Sequence, residues 1–123
     1  MTRALLTVLG FVLLAASSPQ AHHSYADFLL DQTASVEGNI EELLFVNPHV
    51  ILKVRDKDSN IYTATWHAAL QLGRNNVNAT TLKVGDHVIV SGNPSRDATA
   101  RGLSKVSEVR RPADGWRWSS QSR

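Results

Sequence analysis

Val50, Leu52 and Val54 occupy every second position of one short stretch, with Lys53 between them and His49 and Arg55 on either side. A repeat of two is the side-chain repeat of a strand, so this stretch is committed to a sheet with one face on a core. Asp56-Lys57-Asp58-Ser59-Asn60 follows, a run of turn-forming residues, and Ile61 to Trp66 then resumes with β-branched and aromatic side chains. Two such runs around a polar turn predict a hairpin.

The same reading extends in both directions. Val36, Gly38 and Ile40 share one face, and the pattern then slips through Glu41-Glu42 before Leu43 to Val46. One extra residue in a strand swaps its faces, so a long first strand with a bulge or bend between Gly38 and Glu42 accounts for the slip. Asn47-Pro48 ends it. After the hairpin, Ala68 to Arg74 reads as a short helix that stops near Gly73 to Asn76. Thr80 to Asp86 reads as a loop and turn. Val88 to Val90 makes a fourth strand, ended by Gly92-Asn93-Pro94, and Leu103 to Arg110 a fifth. The expected core draws on Val36, Ile40, Val50, Leu52, Val54, Trp66, Leu70, Val88, Val90 and Val106. Residues 112–123 carry Trp116 and Trp118 without a clear period, and read as a tail.

The start of the chain follows a different logic. Met1-Thr2-Arg3 is short and basic, Ala4 to Ala16 is almost wholly apolar, and Ser17 to Ala21 is a small-residue exit containing Pro19. That is the layout of a secretory signal peptide, and the apolar run is short for a membrane span. The expected organisation is a signal peptide over 1–21, a lead-in over 22–32, a β-barrel over 33–111 and the tail, with a periplasmic or secreted destination and no stable membrane span after cleavage. A cut after Ala21 leaves His22 first. A cut after Ser17, with Ala15 three residues back, competes with it. Loss of Arg3 lowers the formal charge from +2 to +1, a balance that does not suggest a polyanion partner. The chain has no cysteine, which excludes a disulfide staple, a thiolate ligand and a lipoprotein anchor.

Three strands, a short helix and two more strands is the element order of the oligonucleotide/oligosaccharide-binding (OB) barrel, whose long bent first strand serves both halves. The expected fold is therefore mainly β, a five-stranded OB-like barrel with one short helix between the third and fourth strands. Ala21-His22-His23-Ser24-Tyr25, Asn47-Pro48-His49, Trp66 and Leu82-Lys83-Val84-Gly85-Asp86 also resemble an uncharacterised domain-of-unknown-function family of small exported bacterial proteins. Its members typically open the mature chain with His-His-Ser and an aromatic residue, and then carry Asn-Pro-His. The resemblance implies export and an OB-like barrel, and it brings no established activity. His67 stands where an acidic residue is more usual, and the Trp116-Arg117-Trp118 segment has no match.

Histidine carries the chemistry that remains. If His22 becomes the first residue, it offers its α-amine and its imidazole to one metal ion. A further imidazole would complete a three-nitrogen site. Neutral nitrogen donors in a planar or tetragonal arrangement favour Cu(II). His49 is the expected third ligand, because alternation sets it opposite Val50, Leu52 and Val54, on an accessible face; His23 is the expected helper. The candidate metal residues are thus His22, His23 and His49, with copper as the expected ion. The structural alternatives are an exposed start for the paired histidines and, for His49, a turn-capping bond to a backbone carbonyl. His67 and His87 read as surface or loop histidines.

Other chemistries find less support. Asp56, Asp58 and Asn60 imitate the opening of a calcium loop, but Ile61 stands where glycine is needed and His67 where glutamate is needed. Lys53, Arg55, Tyr62 and Trp66 are the best set for stacking on single-stranded nucleic acid, yet alternation splits them between faces. Glu41 and Glu42 would point to opposite sides of a regular strand, a poor arrangement for acid–base work. No nucleophile elbow or phosphate loop occurs. The sequence therefore reads as a non-catalytic binding domain, for a metal ion or, alternatively, for an envelope protein or small ligand through the barrel face.

Overall fold

A computed structural model describes residues 25–120. The strands are β1 (Ala34–Leu44), β2 (Ile51–Arg55), β3 (Ile61–Thr65), β4 (His87–Pro94), β5 (Gly102–Arg111) and β6 (Trp116–Ser119), with one helix, α1 (Ala69–Gly73), between β3 and β4. The sheet runs β3-β2-β1-β4-β5-β6, and a parallel pairing of Thr63 and Ala64 with Gly102 and Leu103 joins β3 to β5. Strands one to five thus close on themselves in the order 1-2-3-5-4, an OB-like barrel.

β1 makes the closure possible. Its first half, Ala34 to Asn39, pairs with β4, and Asn39 to Leu44 pairs with β2, so Asn39 faces both His87 and Arg55. Between Ile40 and Glu42 the register shifts, leaving Glu41 as a bulge. The bulge is the predicted one, and it moves the buried side chains from Val36 and Ile40 to Leu43 and Phe45. It also overturns the expectation that Glu41 and Glu42 diverge. Both carboxylates meet the same face of β2, Glu41 pairing with Arg55 and Glu42 with Lys53 at 3.3 Å. Gly38 sits where the bend brings β1 onto β2: a Cβ there would lie 2.0 Å from the Arg55 carbonyl oxygen, so only glycine fits.

The hairpin turn forms as its residues dictate. The Asp56 carboxylate accepts from the backbone N–H groups of Asp58 and Asn60, both at 2.9 Å. Desolvation, the largest single effect, raises its pKa, but these bonds, with the Asn60 side chain and the charge of Arg101, together outweigh it and hold the pKa below the ordinary aspartate value.

The core is built from Ile40, Val50, Leu52, Val54, Leu72, Val88, Val90, Val106 and Val109, all fully buried. One expected member is wrong. Leu70 is 63% exposed, whereas Leu72 is fully buried. The helix has only five residues, and its N-terminus is turned by two bonds: Ala69 N–H donates to the Val46 carbonyl at 3.2 Å and Leu70 N–H to the Asn47 side-chain oxygen at 3.0 Å. That anchoring directs Leu72 inward, which composition alone does not reveal.

The segment read as a tail supplies a sixth strand. β6 pairs with Glu108 to Arg111 of β5 outside the five-strand closure. Trp118 is buried and meets the Trp66 ring edge-on, with centroids 5.1 Å apart. The turn before β6 is fixed by Arg111, whose guanidinium donates to Asp114 at 3.1 and 2.9 Å, to Asp86 at 3.0 Å and to the Thr81 carbonyl at 2.8 Å. It ties the loop before β4 to the barrel and draws the Asp114 carboxyl below its usual pKa.

The corrected core makes a testable contrast. Leu72→Ala should lower stability by about 2–5 kcal/mol, the range for emptying a buried leucine site. Leu70→Ala should change it by roughly 0.5 kcal/mol or less, as for exposed positions. Urea unfolding of the two variants checks this, and equal losses would contradict the assignment of the helix face.

Candidate functional site

The best-defined chemistry lies at one end of the β2–β3 hairpin. Beyond the regular strands, Val50 donates to the His67 carbonyl and accepts from the Trp66 N–H, each at 2.9 Å. One residue opposes two, the signature of a bulge. This brings His49 and His67 to the wall of one cavity of about 300 Å³, together with Tyr25, Thr65, Trp66, Gln71, Lys105 and Val106.

His49 is exposed, as alternation predicts. Its Nδ1 lies 3.2 Å from the Trp66 carbonyl oxygen. A carbonyl only accepts, so Nδ1 carries the proton and Nε2 keeps its lone pair. A second-nitrogen bond to a backbone carbonyl is how proteins orient ligating histidines. The capping bond weighed as the structural alternative is therefore present, and it leaves Nε2 as the nitrogen that can accept a bond.

His67, expected as a surface or loop histidine, lies in the loop between β3 and α1. It is half-buried, lines the same cavity, and meets the Trp118 ring edge-on at 5.2 Å between centroids. His87 lies elsewhere, at the start of β4, with Nδ1 2.9 Å from the Asn39 side-chain oxygen and Nε2 3.6 Å from Glu37.

His22 and His23 lie outside the described residues. The chain enters at Tyr25, and Tyr25 lines the His49 cavity. A short 3-10 turn, Tyr25–Asp27, is held against the barrel by bonds along the β4–β5 connection. Arg96 donates from its backbone to the Asp27 carbonyl at 2.8 Å and from Nε to the Ala26 carbonyl at 2.7 Å. Leu29 N–H donates to the Pro94 carbonyl at 2.8 Å, and Asn93 to the Gln32 carbonyl at 2.7 Å. Phe28 is buried beside Gly102, where a Cβ would come 3.2 Å from its ring.

Lys105 completes this side. Opposite Gly92, β5 bulges between Ser104 and Glu108, and Lys105 adopts φ 45°, a left-handed conformation uncommon outside glycine. Its ammonium lies 4.6 Å from the centre of the Tyr25 ring, a cation–π contact that holds the tyrosine at the cavity wall.

Among the described residues, no three His, Asp or Glu side chains stand close enough to hold a metal ion. His49 offers one prepared nitrogen and His67 a neighbouring ring, so any site at this corner needs donors from beyond Tyr25. The basic residues proposed for nucleic-acid contact, Lys53 and Arg55, are engaged by Glu42 and Glu41. No described helix is long and apolar enough to cross a membrane.

Residues 10–105 match the model of a family described as a family of unknown function, DUF6152. The match ends within β5, so β6 lies beyond it. A search of curated proteins finds no match.

The tautomer of His49 is directly measurable. Long-range ¹H–¹⁵N NMR at neutral pH should show His49 with a protonated Nδ1 and an unprotonated Nε2. The opposite tautomer would remove the preparation argued for this ring.

Proposed function

The chain belongs to DUF6152, a family of unknown function, and we propose that it is an exported envelope domain that binds a transition metal, copper foremost, through His22, His23 and His49. The observation that carries this reading is the orientation of His49 Nε2, freed by the Nδ1 bond to the Trp66 carbonyl, on a cavity that Tyr25 also lines.

Chain geometry supports it. Two residues lie between His22 and Tyr25, and an extended chain covers at most about 3.3–3.6 Å per residue, which limits the His22 Cα to roughly 10 Å from a residue already at the cavity wall. The 3-10 turn and its bonds to Arg96, with Asn93 holding Gln32 further along the lead-in, fix that starting point, which reduces the entropy lost when the donors converge. The amine and imidazole of His22 with Nε2 of His49 make a set of three neutral nitrogens, and such sets suit Cu(II). His23 would assist as an alternative donor. Signal cleavage after Ala21 is part of the proposal, because it creates the amine.

The competing reading is an interaction module for an envelope protein, with no metal. It is favoured by the exposed Leu44, Val46 and Leu70 near the Asn47-Pro48 corner.

Periplasmic expression from the native signal, followed by Cu(II) titration and intact mass, separates the two. The expected result is one-to-one binding on a chain that starts at His22, weakened roughly 100-fold in His49→Ala, at or beyond the upper end of the loss seen for outer-shell partners. His87→Ala should leave it unchanged. A chain starting at Ser18, or binding indifferent to His49→Ala, would overturn the proposal.

A further inference from the structure

The His49 cavity carries a second chemistry that metal ligation does not use. No aspartate or glutamate lines it. Lys105 brings an ammonium to its wall, and no carboxylate pairs with that ammonium among the described residues. Trp66 lines it too. That residue is only 2% exposed; its ring, not its inaccessible indole N–H, is what meets the cavity. Lys105 is also held at its place by a left-handed residue conformation in mid-strand, a type of backbone strain that clusters at ligand-binding positions.

A cation fixed on a wall without a single acid is complementary to an anion. The remaining lining is apolar or aromatic: Val106 and the rings of Trp66 and Tyr25. The volume of about 300 Å³ sits at the small end of ligand pockets. We propose that this cavity binds a small organic carboxylate, with Lys105 supplying the charge and the aromatic wall the contact for the ligand's apolar body. The site stands without the metal, because none of these groups is a proposed metal donor.

The test uses the metal-free mature protein with ¹⁵N-labelled tryptophan and follows the indole N–H signals. Benzoate is the probe, benzyl alcohol its neutral counterpart, and inorganic phosphate an anion without an apolar body. Benzoate should move the Trp66 indole signal saturably, at concentrations at least tenfold below any effect of benzyl alcohol or phosphate. Lys105→Gln should weaken benzoate at least tenfold, and Lys105→Arg should retain most of the binding; the amide fingerprint of each variant establishes that it is folded. Equal responses to benzoate and benzyl alcohol, or a folded Lys105→Gln that binds as well as the parent, would overturn the recognition of charge. Phosphate binding as tight as benzoate would overturn the organic carboxylate in favour of a bare oxyanion.

Discussion

Asn39 pairs across to Arg55 on one side and His87 on the other, and the barrel depends on the bend that lets β1 do both. The Glu41 bulge and the close approach at Gly38 produce that bend. Without it the five strands would form an open sheet with two unpaired edges, which proteins avoid. With it, β3 can reach β5, and the side chains of both halves share one core. The outward turn of Glu41 and Glu42 then places two carboxylates over Lys53 and Arg55. These ion pairs are exposed, so they add little stability, but they neutralise the basic side chains of β2.

The same closure places the chemistry. β2 and β3 end in a second bulge at Val50, and this sets His49 and His67 beside Trp66. β5 ends its contact with β3 just before the bulge that carries Lys105. The lead-in, pinned by Arg96, Asn93 and Phe28, arrives between them. The cavity is therefore made where three irregularities meet: a bulge at the hairpin end, a left-handed residue in β5, and a 3-10 turn. Regular strands supply the rigid frame, and irregular backbone supplies the convergent side chains. The proposed copper ligation and the proposed carboxylate binding call on different groups of this wall, His49 for the first and Lys105 with the aromatic lining for the second.

Much of this was legible in the sequence because a period of two is hard to imitate. The hairpin, the bulge near Glu41, the short helix and the closed barrel all follow from where apolar residues alternate and where they slip. The helix face was not legible. Five residues carry too little of a 3.6-residue period to separate Leu70 from Leu72, and the choice is made by bonds from Val46 and Asn47, more than twenty residues away. β6 was missed for a similar reason: Trp116-Arg117-Trp118-Ser119 alternates, but over only four residues, and its place depends on the turn that Arg111 fixes. His67 was within reach. The hairpin pairs Arg55 with Ile61 and Ile51 with Thr65, so His49 and His67 fall at the same hairpin end, although the Val50 bulge breaks the register before they would pair. The role of Lys105 had no sequence signal, because its position depends on a bulge that a single lysine does not announce.

The central claim is that the first residue of the mature chain and His49 share one metal ion. Electron paramagnetic resonance of the mature protein loaded with one equivalent of Cu(II) tests it most directly, with hyperfine coupling counting the nitrogens and selective ¹⁵N-histidine labelling separating rings from the amine. The account predicts three coupled nitrogens, two from imidazole and one from an amine, with one imidazole coupling absent in His49→Ala. A spectrum unchanged by that substitution, or one without an amine nitrogen, would contradict it.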